Sequence, residues 1–161
     1  EELVKTFNKI VENFDLPLIV SAHPRTKRSL KKFRLIKDSN KLINWHDPFG
    51  LIDFIKLQMN SLCVVSDSGT IHEDSAILNF PAIAVRKSTE KYEAIDSGHC
   101  SITGLNAKNV IRMIDFVIKN FSEVQKNPLP EAYKQVNISN KFLNIILGMR
   151  DIADHSTWGD K

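Results

Sequence analysis

One stretch of the chain, residues 62–86, constrains the fold more than any other. It begins with a continuous apolar run at residues 62–65, which is typical of a parallel strand buried on both faces. A polar turn and a short helical pattern follow, and Pro81 then precedes a second apolar run at residues 82–85. This order predicts a helix whose N-terminus lies at the carboxyl end of a parallel sheet, where free backbone N–H groups bind anions.

The turn at residues 66–70 has the composition of an anion site. Ser66, Asp67 and Ser68 favour turns and helix N-caps, and Gly69 lets a ligand approach the backbone because it has no Cβ. No Gly-Lys-Ser/Thr follows, so the turn is not a P-loop, and it lacks the Gly-x-Gly-x-x-Gly pattern of dinucleotide sites. From the residues alone, phosphate binding and simple helix capping are equally open.

Helical and strand patterns alternate along the rest of the chain. Helices are predicted near residues 2–14, 51–57, 93–95 and 106–118 and again from residue 139, and further short strands at residues 18–20, 42–45 and 100–102. The alternation predicts an α/β fold with a Rossmann-like, doubly wound parallel sheet. We expect one domain over residues 1–152 and a polar tail over residues 153–161.

Composition narrows the class of protein. A length of 161 residues, with 42% hydrophobic and 25% charged residues, is typical of one globular domain. No apolar run approaches the ~20 residues of a membrane span, and the first residues do not resemble a signal peptide. Two cysteines are too few for a disulfide framework. We therefore expect a cytoplasmic chain without membrane contact, and a piece of a longer protein because the first residue is not Met.

Several polar residues are predicted to share one edge of the sheet. Arg86, Glu90 and Lys91 follow the strand at 82–85, and Ser68 follows the strand at 62–65, so the carboxyl ends of two strands bring them together. Asp74 stands one turn into the intervening helix, where a carboxylate suits either ribose hydroxyls or the helix dipole.

Three histidine and charge patterns leave alternatives open. His23 follows a strand and precedes Pro24, which suits either a phosphate or sugar donor or an ordinary surface histidine. His46 and Asp47 have no further ligand at metal-site spacing, so we predict no metal and no cofactor. The cations between residues 25 and 41 favour a solvated helix face over a nucleic-acid patch, because Phe33 is the only aromatic residue among them.

Taken together, the motifs resemble the bacterial UDP-N-acetylglucosamine 2-epimerase family. Residues 66–75, which begin Ser-Asp-Ser-Gly-Thr, are similar to a motif of the family, as is the Phe80-Pro81 pair that follows them. Residues 88–94 resemble the family's Thr-Thr-Glu-Arg-Pro-Glu motif. Residues 23–25 and 47–54 resemble two further segments of the family. Thr70 and the Pro-Phe-Gly run at 48–50 are most similar to the branch that makes the UDP-N-acetyl-L-fucosamine precursor for capsule and O-antigen.

The resemblance implies one half of a two-domain, GT-B-like enzyme. In that family, C2 of a UDP-N-acetylhexosamine is inverted by elimination and re-addition of UDP. This chain matches the UDP-binding C-terminal domain, so we expect UDP and UDP-N-acetylhexosamine as ligands, the missing N-terminal domain as a partner, and a homodimer in the parent enzyme. The acid–base residues lie in the missing domain, so we expect no catalytic residue and no turnover in this chain.

The resemblance also implies roles for particular residues. Ser68, Gly69 and Thr70 would bind the diphosphate, and Asp74 would bind the ribose. The full set of predicted substrate-binding residues is His23, Phe49, Phe54, Ser68, Gly69, Thr70, Asp74, Arg86, Glu90 and Lys91. Phe49 and Phe54 would surround the uracil, and Glu90 and Lys91 would lie near the nucleotide.

The sequence departs from the family pattern at two of these positions. Asp74 stands where the family usually has Glu, and Lys91-Tyr92 replaces Arg-Pro, which removes a bidentate guanidinium.

Two alternative functions are the donor-binding domain of a GT-B glycosyltransferase, and a non-catalytic module that binds nucleotide sugars or nucleic acid.

Overall fold

Helices and short parallel strands alternate along the computed structural model, which describes residues 2–33 and 35–158. The strands are β1 (Leu18–Ser21), β2 (Ile43–His46), β3 (Val64–Ser66), β4 (Ala82–Ala84) and β5 (Ser101–Ile102). The helices are α1 (Glu2–Phe14), α2 (Pro24–Lys32), α3 (Leu51–Met59), α4 (Ile71–Leu78), α5 (Glu93–Asp96), α6 (Ala107–Val124) and α7 (Ile138–Trp158). Single 3-10 turns lie at Leu35–Asp38 and Glu131–Lys134. The predicted α/β class with parallel strands is confirmed.

The strands form two parallel hydrogen-bonded sheets. β1 pairs with β2, and β4 lies between β3 and β5. Ser66 of β3 is in register with Ala84 of β4, and the Val85 N–H donates to the Ser66 carbonyl at 2.9 Å. The segments that follow β3 and β4 therefore leave the same edge of the same sheet, as the sequence predicted.

Residue types at the helix ends explain where the helices begin and end. The Asn106 side chain accepts from the Asn109 N–H and caps the start of α6. α4 ends at Asn79, which adopts a left-handed conformation with φ 58° that asparagine tolerates better than most residues. This early stop turns the chain through Phe80 and Pro81 into β4.

The core centres on β4. Ile83 is fully buried and packs with Ile10 of α1 and with Val110 and Ile114 of α6. The buried residues of α4 are Ile71, His72, Ser75 and Ala76. Ile77, an apolar residue of the same helix, is 53% exposed.

The chain divides into two compact units, with the boundary between Pro130 and Glu131. The first contains both sheets and helices α1 to α6. The second contains the turn Glu131–Lys134 and α7, which continues to Trp158 and so enters the segment for which a polar tail was predicted. Within the ranges described, no helix has the length and apolar character needed to cross a bilayer.

Replacing Ile83 with Ala tests the importance of the β4 core. Ile83 is 0% exposed, so the variant leaves a cavity and is expected to lose about 2–5 kcal/mol of the free energy of unfolding. Ile77→Ala on the exposed face of α4 is the matched control and should change it by no more than about 0.5 kcal/mol. Urea denaturation measures both, and equal losses would contradict this description of the core.

Two buried histidines predict a loss of stability on acidification. His72 is 0% and His99 is 8% exposed, and burial lowers the pKa of both rings from 6.5. The unfolded chain takes up these protons at a higher pH than the native chain, so stability falls as pH drops below 6.5. The slope should reach at most about 1.4 kcal/mol per pH unit for each ring.

Urea denaturation of a His72→Gln, His99→Gln double variant measures this contribution. Its stability should depend much less on pH between about 5 and 6.5, whereas His46→Gln, at an exposed position, should retain the wild-type slope. A double variant with the full wild-type slope would assign the pH dependence to other groups.

Candidate functional site

The turn between β3 and α4 is held by its own hydroxyl groups. The Ser68 N–H donates to Ser66 Oγ at 3.1 Å, and the Thr70 N–H donates to Ser68 Oγ at 3.3 Å. The hydroxyls of Ser68 and Thr70 also share a hydrogen bond of 3.1 Å. Ser68 and Thr70 are both exposed, and Thr70 occupies the N-cap of α4. The turn therefore presents ordered hydroxyls at a helix N-terminus, a place that favours anions.

The guanidinium of Arg86 lies directly against this turn. A Cβ built at Gly69 would stand 3.4 Å from Arg86 Nη1, which is van der Waals contact, so the guanidinium lies next to the backbone of Gly69. Arg86 Nη1 is buried without a hydrogen-bond partner, while Nη2 lies 3.9 Å from Glu90 Oε2. Because buried guanidinium donors are normally satisfied, this N–H is available to an acceptor that reaches the turn.

An ion pair joins the segment after β4 to the first turn of α4. Lys91 Nζ bonds to Glu73 Oε1, and the two side chains are 31% and 28% exposed. The predicted site included Lys91 but not Glu73. The ammonium group of Lys91 is therefore already engaged by a protein carboxylate, and Glu73 Oε2 is buried without a hydrogen-bond partner.

A second contact joins the same two segments inside the protein. His72 Nε2 lies 3.4 Å from Thr89 Oγ1, which also accepts from the Lys91 N–H at 3.1 Å. Both side chains are buried, and His72 Nδ1 has no hydrogen-bond partner. The sequence-based site included neither residue, because a polar residue in the first turn of a helix or in a loop carries no pattern that indicates burial.

Asp74 is half-buried in the first turn of α4. Burial raises the pKa of its carboxyl above the usual value of 3.8, and the neighbouring Glu73 carboxylate raises it further. A hydrogen bond from Thr70 and the charge of Lys91 act in the opposite direction. The carboxylate thus stands beside the turn, among the groups that hold Lys91.

The remaining predicted residues follow strands of the other sheet. His23 comes after β1, is exposed, and accepts from the Arg25 N–H through Nδ1 at 3.2 Å, so it caps α2. Phe49 comes after β2, and its ring lies 5.1 Å from the ring of His46. Phe54 is half-buried on α3. The described contacts bring together the predicted residues between 68 and 91 and leave these three on separate segments.

The first part of the basic segment, up to Lys32, lies on α2, which carries five cations and no acidic residue, and Arg34 of this segment lies outside the described residues. Lys27 Nζ bonds to Asp47 Oδ1 at 2.6 Å, and this bond lowers the pKa of that carboxyl. Outside the undescribed residues 1, 34 and 159–161, no group of three or more His, Cys, Asp or Glu side chains is arranged to hold a metal ion.

Comparison with known proteins identifies relatives along most of the chain. The family model for UDP-N-acetylglucosamine 2-epimerase matches residues 1–147. The UDP-N-acetylglucosamine 2-epimerase of Methanocaldococcus jannaschii is 34% identical over 130 residues, covering 80% of this chain and 35% of that protein. That of Methanococcus maripaludis is 29% identical and covers 91% of this chain and 39% of that protein.

Solved structures of this family share the fold. The UDP-N-acetylglucosamine 2-epimerase of Rickettsia bellii superposes with a TM-score of 0.83 at 30% identity, covering 99% of this chain and 43% of the other. The M. jannaschii enzyme in complex with UDP-GlcNAc and UDP superposes with a TM-score of 0.76 at 30% identity, covering 88% of this chain and 40% of the other. These neighbours have a GT-B-like architecture, of which this chain corresponds to one part.

The chain therefore spans about two fifths of the length of these solved relatives. The family model covers nearly all of its residues and ends within α7. This chain belongs to the UDP-N-acetylglucosamine 2-epimerase family.

Proposed function

We propose that this chain is the UDP-binding half of an enzyme that inverts C2 of a UDP-N-acetylhexosamine. The observation that carries the proposal is the approach of Arg86 to Gly69, with a buried guanidinium N–H that has no partner beside an ordered hydroxyl turn. Family membership supplies the chemistry of the ligand, since a relative of similar fold is described in complex with UDP-GlcNAc and UDP.

The turn and Arg86 would hold the diphosphate. The backbone at Gly69 offers a donor at the N-terminus of α4, where the helix dipole also favours negative charge, and the Ser68 hydroxyl would donate to a phosphate oxygen in place of its present hydrogen bond with Thr70. Arg86 adds a charged donor from the next strand. Hydrogen bonds of this charge-assisted kind are about twice as strong as neutral ones, so this arrangement suits phosphate oxygens.

The other parts of the nucleotide sugar would contact residues on both sheets. Asp74, half-buried beside the turn, would accept from the ribose hydroxyls, with Glu90 and Lys91 close to the nucleotide. Phe49 and Phe54 would enclose the uracil and His23 would donate to the ligand. Because Lys91 is paired with Glu73, we assign it to the support of the site.

The enzyme's chemistry would be completed by another domain. Elimination of UDP from C1 creates negative charge on the diphosphate, and the donors around Gly69 would stabilise this leaving group. The acid–base residues would come from an N-terminal domain of a longer parent protein, which we propose is a cytoplasmic homodimer. Thr70 and the Pro-Phe-Gly run at 48–50 favour the branch that makes the UDP-N-acetyl-L-fucosamine precursor for capsule and O-antigen.

Loss of the Arg86 guanidinium should weaken UDP binding. Arg86→Gln removes a charged donor worth about 1.5–3 kcal/mol, so the Kd measured by calorimetry should rise at least about tenfold. Lys119→Gln is the matched control, because it also removes one cation, from an exposed pair with Asp115 on α6. Ser68→Trp, which fills the turn, should abolish the heat of binding. Equal heats from all of these proteins would overturn the site.

The full-length parent should epimerise a UDP-N-acetylhexosamine. In D2O, proton removal and return at C2 should exchange the C2 hydrogen for deuterium, which proton NMR of UDP-N-acetylglucosamine detects as loss of the H2 signal. This chain by itself should bind the nucleotide without exchange. A parent that transfers the sugar to an acceptor and never labels C2 would instead be a glycosyltransferase.

A further inference from the structure

Two bridges fasten the first turn of α4 to the segment that follows β4. One is the ion pair between Glu73 and Lys91, and the other is the hydrogen bond between His72 and Thr89. The same segment carries Arg86 to its position against Gly69. Buried polar atoms without partners concentrate here, at His72 Nδ1, Glu73 Oε2 and Arg86 Nη1.

We propose that His72 is a positioning residue of the nucleotide site, whose neutral imidazole fixes Thr89 and thereby holds Arg86 against the Gly69 turn. The inference rests on the proposed function, because the property that His72 would affect is the affinity of the site for the nucleotide sugar. His72 itself is fully buried and makes no contact with the exposed hydroxyls of Ser68 and Thr70 in the hydrogen-bond network described above.

The hydrogen bond to Thr89 connects His72 to the backbone of the segment after β4. Thr89 Oγ1 accepts from the Lys91 N–H, so its own proton is available to a neutral Nε2 of His72. The imidazole thus orients the hydroxyl, and the hydroxyl orients the backbone at Lys91. A change at His72 therefore reaches the chain three residues beyond Arg86 and again at Lys91.

Of the two bridges, the one through His72 is better protected from solvent. Glu73 and Lys91 are each about 30% exposed, so water and salt weaken their attraction. His72 is 0% and Thr89 is 7% exposed, and loss of either polar group would leave the other buried without its partner. The buried bridge should therefore dominate the fixation of the segment.

Protonation of His72 should loosen the site. The charged groups that act on the ring are Glu73 on α4 and Arg86, Glu90 and Lys91 on the segment after β4. Of the other elements packed against α4, α5 carries Glu93 and Asp96, and β4 carries no titratable residue. Burial opposes the charged ring most strongly. Glu73 and Glu90 attract the charged ring and raise its pKa, whereas Arg86 and Lys91 repel it, and with burial the native pKa is lowered.

The pH dependence of UDP-N-acetylglucosamine binding tests this role. Its diphosphate is a diester and lacks the phosphate group with a pKa near 6, so the ligand does not titrate between about pH 5 and 8. Because the native pKa of His72 lies below 6.5, calorimetry should show a wild-type affinity that is retained near pH 6.5 and falls at lower pH as His72 takes up a proton. Gln at position 72 can still bond to Thr89, so His72→Gln should lose most of this pH dependence.

Variants that remove the hydrogen bond should weaken binding even at pH 7.5. His72→Phe keeps a buried ring without the polar contact, and Thr89→Val removes the hydroxyl, so each should raise the Kd about 3- to 10-fold. His72→Gln should restore most of the lost affinity. His99→Gln, at a buried histidine that follows α5 in the chain, is the matched control and should keep the wild-type affinity and pH profile.

Amide hydrogen exchange without any nucleotide gives an independent measurement. The Lys91 N–H donates to Thr89 Oγ1, so it should exchange several-fold faster in His72→Phe and Thr89→Val than in wild type or His72→Gln. Equal exchange, or equal affinities with an unchanged pH profile, would overturn the role of His72.

These measurements distinguish an error in the proposed function from an error in the role of His72. If wild type does not bind UDP-N-acetylglucosamine, the proposed function is wrong, and exchange at Lys91 still decides whether His72 fixes the loop. If wild type binds and the variants match it, only the role of His72 is wrong. If His72→Phe does not fold, as judged by circular dichroism, Thr89→Val carries the same test.

Discussion

The pairing of β3 with β4 is the constraint on which the candidate site depends. Ser66 and Ala84 end the two strands in register, so Ser68 and Arg86 each follow two residues later at the same edge. The guanidinium of Arg86 then lies beside the backbone of the turn at Gly69. A shift of one residue in this register would turn the side chains of β4 to the opposite face, which would remove Ile83 from the core and Arg86 from the turn together.

Much of this arrangement follows from sequence because parallel sheets obey simple rules. Apolar runs at 62–65 and 82–85 that flank a short helical pattern leave few alternatives to a parallel pair, and both strands formed within these runs or one residue beyond them. The division of the strands into two sheets did not follow. An apolar run indicates that a strand is buried but not which strand pairs with it. The sequence pattern therefore could not predict that β2 and β3 belong to different sheets.

The candidate site was predictable to the extent that it depends on strand ends. Ser68, Arg86 and Lys91 were placed at one edge by topology alone, whereas the support provided by His72 and Thr89 was not. The buried face of α4 consists of Ile71, His72, Ser75 and Ala76, of which two are polar, so apolar spacing can identify only Ile71 and Ala76 among them. Which face of a helix is buried also depends on the partners that its neighbours provide for polar side chains. Here Thr89 provides a hydrogen-bond partner for the buried His72.

The charges around the turn explain why this site should prefer a compact diphosphate over an extended polyanion. Glu73 balances Lys91, Glu90 lies near Arg86, and Asp74 adds a third carboxylate beside the turn, so these groups carry no excess of positive charge to attract an anion at long range. What it offers an anion is local: ordered hydroxyls, a helix N-terminus and one buried guanidinium donor without a partner. Such donors bind most tightly a ligand that fits between them. Five cations lie on α2, which follows a strand of the other sheet, so the basic segment and the candidate anion site are separate features of this fold.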